Sequence, residues 1–147
     1  MKYLFALSLI VMKLIPGTIV LTEATETPKM ETFTVEGATL KKGVATISGT
    51  YACTGANYGY VGIMLRQTVG RLNTVEGSNS VYLSGACDGK TKSWSKEVRA
   101  SEGKYAGGKA FLSVHYDVCD NDVENDTLDC IDGDIDQLVR FNNAPKI

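Results

Sequence analysis

No Cys-x-x-Cys pair occurs in this 147-residue chain, no serine stands in a Gly-x-Ser-x-Gly elbow, and no stretch keeps a helical hydrophobic period of useful length. The first absence removes zinc-ribbon and thioredoxin-type readings, which need two closely spaced thiols. The second removes the hydrolase nucleophile elbow. The third leaves no amphipathic face for a helical bundle, and the lack of internal repeats excludes a solenoid. Charge is also scarce. A net charge of −2 and a pI near 5.4 argue against nucleic acid as a partner.

What is present describes strands and turns. Three prolines and fifteen glycines accompany many Thr, Val, Ser and Tyr residues, with 44% of the chain hydrophobic. That mixture suits an all-β fold rather than disorder. The one long apolar run is at the start, where Lys2 precedes 3–12 and Lys13 closes it. A charged start, a short apolar run and small residues near Ala24 match an export signal. The expected organisation is therefore a signal peptide at 1–24, a polar linker at 25–30, a β-sandwich domain at 31–143 and a tail at 144–147. The alternative, an uncleaved anchor over 4–21, would carry Lys13 and Pro16-Gly17 inside the bilayer, where both are unfavourable. The expectation is a secreted, extracellular protein without stable membrane insertion after cleavage.

Cys53, Cys87, Cys119 and Cys130 all lie in the exported part, and four cysteines allow three connectivities. Strand parity selects among them. In VATISGTYAC, Ala45, Ile47, Gly49, Tyr51 and Cys53 alternate with Thr46, Ser48 and Thr50, so Cys53 points inward. In SVYLSGAC, Val81, Leu83, Gly85 and Cys87 share the inward face. Two inward thiols suit an inter-sheet bridge, leaving Cys119 and Cys130 to close the base of a hairpin. Loop-closure entropy assigns roughly 4 kcal/mol to the first bridge and roughly 3 to the second.

The same alternation runs through VGIMLR, where Val61, Ile63 and Leu65 face inward against Tyr60, Met64 and Arg66. In AFLSVHYDVC, Ala110, Leu112, Val114, Tyr116 and Val118 face inward and His115 and Cys119 outward. With ETFTVEGATL, KSWSKEVRA and DIDQLVRFN, and with the CDGK turn before Trp94, about seven strands result. RLNTVEGSNS reads as a weaker connecting stretch. The segments GTYACTG, VGIMLRQ, GACDGKTKSW and KYAGGKAFLSV resemble a family of short secreted bacterial immunoglobulin-like proteins of unknown function. The resemblance spans about 45–118 and implies an immunoglobulin-like antiparallel sandwich, with Cys53 bridged to Cys87 and Asp88, Gly89 and Trp94 at the turn. The family carries no established activity, and the acidic loop between Cys119 and Cys130 departs from its pattern.

Charge distribution supplies the functional candidates. Between 39 and 110 stand ten Lys or Arg against four acids, whereas 117–136 holds nine acids and no base. Asp120, Asp122, Glu124 and Asp126 could turn several oxygens toward calcium, although Asn125 and Ile131 stand where an EF-hand needs Gly and Glu. The competing reading of that segment is a solvated, self-repelling loop. Asn125 also opens an N-glycosylation sequon. His115 and Asp117 share a strand face, as a hydrolase's general base and its orienting acid would. GKYAGGKA mimics a phosphate loop but has Ala110 in place of the magnesium-binding hydroxyl and a strand after it. Lys90, Lys92, Lys96, Arg99, Lys104 and Lys109 could meet an anionic envelope polymer, or simply guard strand edges against aggregation.

With no assembled catalytic motif, the expected function is a secreted, non-enzymatic interaction module with a protein or envelope polymer as partner. The alternatives are a calcium-stabilised extracellular domain and a hydrolase centred on His115. Exported protein should begin at Thr25 and gain the mass of four hydrogens on reduction. Intact mass before and after dithiothreitol checks both expectations; a retained 1–24 segment would refute cleavage, and an unchanged mass would refute the disulfides.

Overall fold

A computed structural model describes residues 27–83 and 87–142. The expected signal peptide at 1–24, Gly85 and the tail at 144–147 lie outside the described residues. Eight strands form two antiparallel four-stranded sheets, and no helix occurs among the described residues. Sheet one contains β1 (Lys29–Phe33), β2 (Gly37–Lys41), β3 (Val44–Thr54) and β6 (Lys92–Val98). Sheet two has the order β5 (Asn73–Leu83), β4 (Tyr58–Val69), β7 (Gly108–Asp122) and β8 (Thr127–Phe141). The chain crosses between sheets after β3, β5 and β6, as in an immunoglobulin-like sandwich.

Alternation dictates the core. Ala45, Ile47, Tyr51 and Cys53 from β3 meet Val61, Ile63 and Leu65 from β4 and Ala110, Leu112, Val114 and Val118 from β7, all buried. Each Val, Leu or Ile withdrawn from water in this way contributes about 1.5–3 kcal/mol. Tyr116, also expected inward, is only partly buried. Its ring lies over Gly133 and stacks on Phe33 at 4.7 Å between centroids.

Eight strands appear instead of seven because ETFTVEGATL is divided. β1 and β2 occupy successive stretches of the same β3 edge, the first opposite Tyr51–Thr54 and the second opposite Val44–Ser48. Between them the Thr34 carbonyl folds over Gly49, so close that a Cβ at Gly49 would lie 1.8 Å from Thr34 O. The indole of Trp94, directly opposite Gly49 in β6, donates to that carbonyl at 3.2 Å. The break is thus a bulge whose partly buried acceptor is satisfied by a side chain. β1 also begins at Lys29, inside the stretch expected to be linker.

Two further expectations change. RLNTVEGSNS is no mere connector: β5 starts at Asn73 and pairs with β4 throughout its length, from Val69↔Asn73 to Gly59↔Leu83. Val75 and Gly77 supply the buried positions of its first half, and Gly77 packs on the Arg99 carbonyl, which hid the pattern from a search for apolar side chains. Cys87 does bond to Cys53, but from the crossover after β5 rather than from a strand. There Gly89 N donates to Cys53 O at 2.8 Å. Asp88 accepts the Lys90 backbone N–H at 3.0 Å, a bond that holds its carboxyl below the usual range. Cys119 and Cys130 are bonded as expected, directly opposite each other in β7 and β8.

The long loop before β7 is tied by two polar residues. Gln67, buried in β4, accepts from Ala106 N at 2.8 Å and donates to Ala106 O at 2.7 Å. Tyr105 donates to Leu65 O at 3.0 Å, and burial pushes its phenol up to about 12. Gly49→Ala should destabilise the fold by about 3 kcal/mol, near the top of ordinary overpacking costs, because the obstacle is backbone. Urea denaturation measures it, and a loss within experimental error of wild type would refute the bulge geometry.

Candidate functional site

Register arranges the outer face of sheet two into four cross-strand rows. The first runs Glu76, Arg66, Phe111, Leu138; the second Ser78, Met64, Ser113, Asp136. The third runs Ser80, Gly62, His115, Asp134; the fourth Tyr82, Tyr60, Asp117, Asp132. Small side chains in the middle and large ones around them leave a shallow groove of about 370 Å³, lined by Tyr60, Gly62, Met64, Ser78, Ser80, Ser113 and His115 among others. Gly62 forms its floor, with the Tyr60 hydroxyl folded across, 3.1 Å from where a Cβ would stand. Tyr82 meets Tyr60 edge to face at 6.2 Å. A larger hollow of about 720 Å³ lies along β5 and β6, but its walls are the polar and charged Thr46, Ser78, Asn79, Ser95, Lys96, Glu97 and Arg99.

Acidic side chains border the groove beside β8. His115 Nδ1 lies 2.7 Å from Asp134 Oδ1, and Nε2 lies 3.1 Å from Asp117 Oδ2 and 3.9 Å from Asp132 Oδ2. In the imidazolium form, Nδ1–H donates to Asp134 and Nε2–H to Asp117. The hydrogen bond to Asp134 is the chief cause of a raised His115 pKa; burial opposes it, and Asp117 adds to the rise. Asp117 and Asp132 are direct cross-strand neighbours of like charge, an unfavourable pairing in a sheet.

The sequence-derived pair His115 and Asp117 is therefore assembled, and β8 adds Asp132 and Asp134. The four acids considered for calcium are not assembled with them. Asp120 and Asp122 have the opposite parity on β7, while Glu124 and Asp126 lie in the hairpin turn. Among the described residues, donor atoms converge at His115, Asp117 and Asp132, and not within Asp120, Asp122, Glu124 and Asp126. Asp122 serves the turn instead: it accepts from the Asn125 side chain at 2.7 Å and from its backbone at 3.2 Å. The Asn125 bonds hold its carboxyl below the usual range. Strand alternation in CIDGDIDQ places Asp132, Asp134 and Asp136 on one face, the one local signal that could have singled them out.

The expected basic face is divided: Lys96 and Arg99 line the larger hollow beside β6, and Lys109 lies on the other sheet. Lys92 pairs with Asp88 at 3.4 Å and Arg99 with Glu97 at 3.5 Å. Arg99 and Lys104 share a hollow with Lys41, Lys42 and Glu97, whereas Lys109 stands on sheet two. No family model, curated protein or solved structure matches the chain.

The groups facing His115 give its titration a sign. Asp117 approaches on its own strand, Asp132 and Asp134 from β8, and the Tyr60 phenol shares the groove from β4. Because the folded pKa is raised above 6.5, the stabilisation is complete below pH 6.5 and disappears as pH rises through the folded value. In chelator-containing buffer, wild type should melt higher than His115→Asn at acidic pH, with the gap closing at alkaline pH. A gap independent of pH would refute this arrangement of charges.

Proposed function

We propose that this chain is a secreted, non-enzymatic recognition domain whose contact surface is the outer face of β5, β4, β7 and β8. Its two disulfides suit an oxidising, extracellular compartment. The observation that carries the reading is the concentration of exposed apolar side chains. Of the eight large ones among the described residues, Tyr58, Met64, Tyr82, Phe111, Leu128 and Leu138 stand on this face by strand parity, six in all. Tyr82 is 76% and Leu138 68% exposed, so their apolar area remains in water until a partner covers it. Clustered exposed aromatic and aliphatic side chains mark interaction surfaces, whereas scattered ones do not.

Charge defines the partner. Asp117, Asp132, Asp134 and Asp136 form a negative border along the groove, so the complementary surface is a protein carrying Lys or Arg beside an apolar anchor.

Panning the oxidised protein against a randomised peptide-display library should enrich sequences that combine basic and aromatic residues. Met64→Glu with Tyr82→Ala should abolish capture, while Thr46→Glu on sheet one should retain it. Recovery of no peptide, or equal capture by both variants, would sink the proposal. So would preferential binding of an anionic envelope polymer.

A further inference from the structure

We propose that His115, Asp117 and Asp132 form a binding site for one divalent first-row transition metal ion, with Asp134 as the positioning residue for the imidazole. The inference goes beyond the recognition role and stands whatever the groove accommodates.

The donor set is mixed rather than merely acidic: one imidazole nitrogen and two carboxylate oxygens, all within 4.8 Å of one another. A tetrahedral ion with bonds of about 2.1 Å requires ligand atoms about 3.4 Å apart. The two separations from His115 Nε2, 3.1 and 3.9 Å, lie on either side of that value. Two ligands come from alternate residues of β7 and the third from the position of β8 opposite Asp117, so rigid, register-paired backbone holds them.

The other nitrogen strengthens the assignment. Asp134, opposite His115, lies 2.7 Å from Nδ1, so that when the imidazolium loses one proton to make room for a metal, the remaining proton is held on Nδ1. Nε2 then turns its lone pair toward two carboxylate oxygens. Three acceptors facing one another repel, and a cation among them removes the repulsion. This carboxylate–histidine–metal arrangement is the usual outer-shell support of imidazole ligands. An imidazole donor favours zinc, cobalt, nickel or copper over calcium, which takes six to eight oxygens. The side chains of His115 and Asp117 are 38% exposed and that of Asp132 67%, leaving solvent access for a further ligand.

Chelator-stripped protein should bind one equivalent of Zn²⁺ by calorimetry and develop visible Co²⁺ absorption that Zn²⁺ displaces. Asp132→Asn and His115→Gln should each weaken binding about tenfold or more, and Asp134→Asn by about 10–100-fold. Asp122→Asn, at the hairpin tip, should bind as wild type does. Melting temperatures in chelator establish that each variant folds; if His115→Gln does not, Asp132→Asn at its exposed position decides. Absence of Zn²⁺ and Co²⁺ binding by wild type would overturn the proposal, as would undiminished binding by Asp132→Asn or equal competition from Ca²⁺. None of these measurements involves a partner, so their failure would leave the recognition reading to its own test.

Discussion

Register between β7 and β8 is the constraint on which the outer face depends. A slip of one residue would send His115, Asp117, Asp132 and Asp134 to opposite faces of the sheet and bring the buried Val114 and Val118 into water. Two features resist the slip. Hydrophobic burial favours the observed parity over the middle of the ladder, and the Cys119–Cys130 bond fixes it near the tip, where the two Cα atoms are 4.1 Å apart. That separation belongs to a directly opposed, non-hydrogen-bonded antiparallel pair. The second disulfide therefore acts as a register pin as well as a closure of the hairpin loop.

Sheet one provides the counterpart surface, and its integrity depends on backbone accounting more than on apolar bulk. The Thr34 carbonyl leaves the ladder at the bulge, Gly49 makes room for it, and the Trp94 indole receives it. On the other side of the core, Gln67 and Tyr105 hold the connection from β6 to β7 by hydrogen bonds to backbone. A buried polar group without a partner costs about 1–3 kcal/mol, which makes these few side chains as consequential as a buried aliphatic residue. Among the described residues, no buried side-chain nitrogen or oxygen lacks a partner. Among the described residues the unfavourable pairings are electrostatic and lie at the surface.

Those pairings are local. Asp117 faces Asp132 across the ladder, and Asp120 faces Asp129 farther out. Acid opposite acid weakens a sheet, yet it also protects the free edge of β8 from pairing with another chain. His115 is what distinguishes the first pair from the second, since it sets an imidazole among the carboxylates beside a groove with aromatic walls. The proposed recognition of a basic partner and the proposed binding of a metal ion would draw on the same negative potential. They use different atoms: the groove's aromatic and aliphatic side chains in one case, Nε2 and two carboxylates in the other.

Much of this was legible in the residues alone. Period-two alternation determined most of the inward faces of β3, β4 and β7, and loop length suited the Cys119–Cys130 bond; the Cys53–Cys87 pairing was expected correctly, although Cys87 lies in a crossover where strand parity does not apply. The adjacency of His115 and Asp117 followed from the same two-residue repeat. What tertiary structure decided concerned partners distant in sequence. The division of the first strand needed the Thr34 carbonyl over Gly49, and the strand character of β5 needed Gly77 against Arg99, contacts in which glycine contributes by having no side chain. The acidic segment was conspicuous by composition, but alternation sends its members to two faces. Only the pairing of β8 with β7 selected Asp132 and Asp134 as companions of His115, because cross-strand register is a property of two segments together and neither carries it alone.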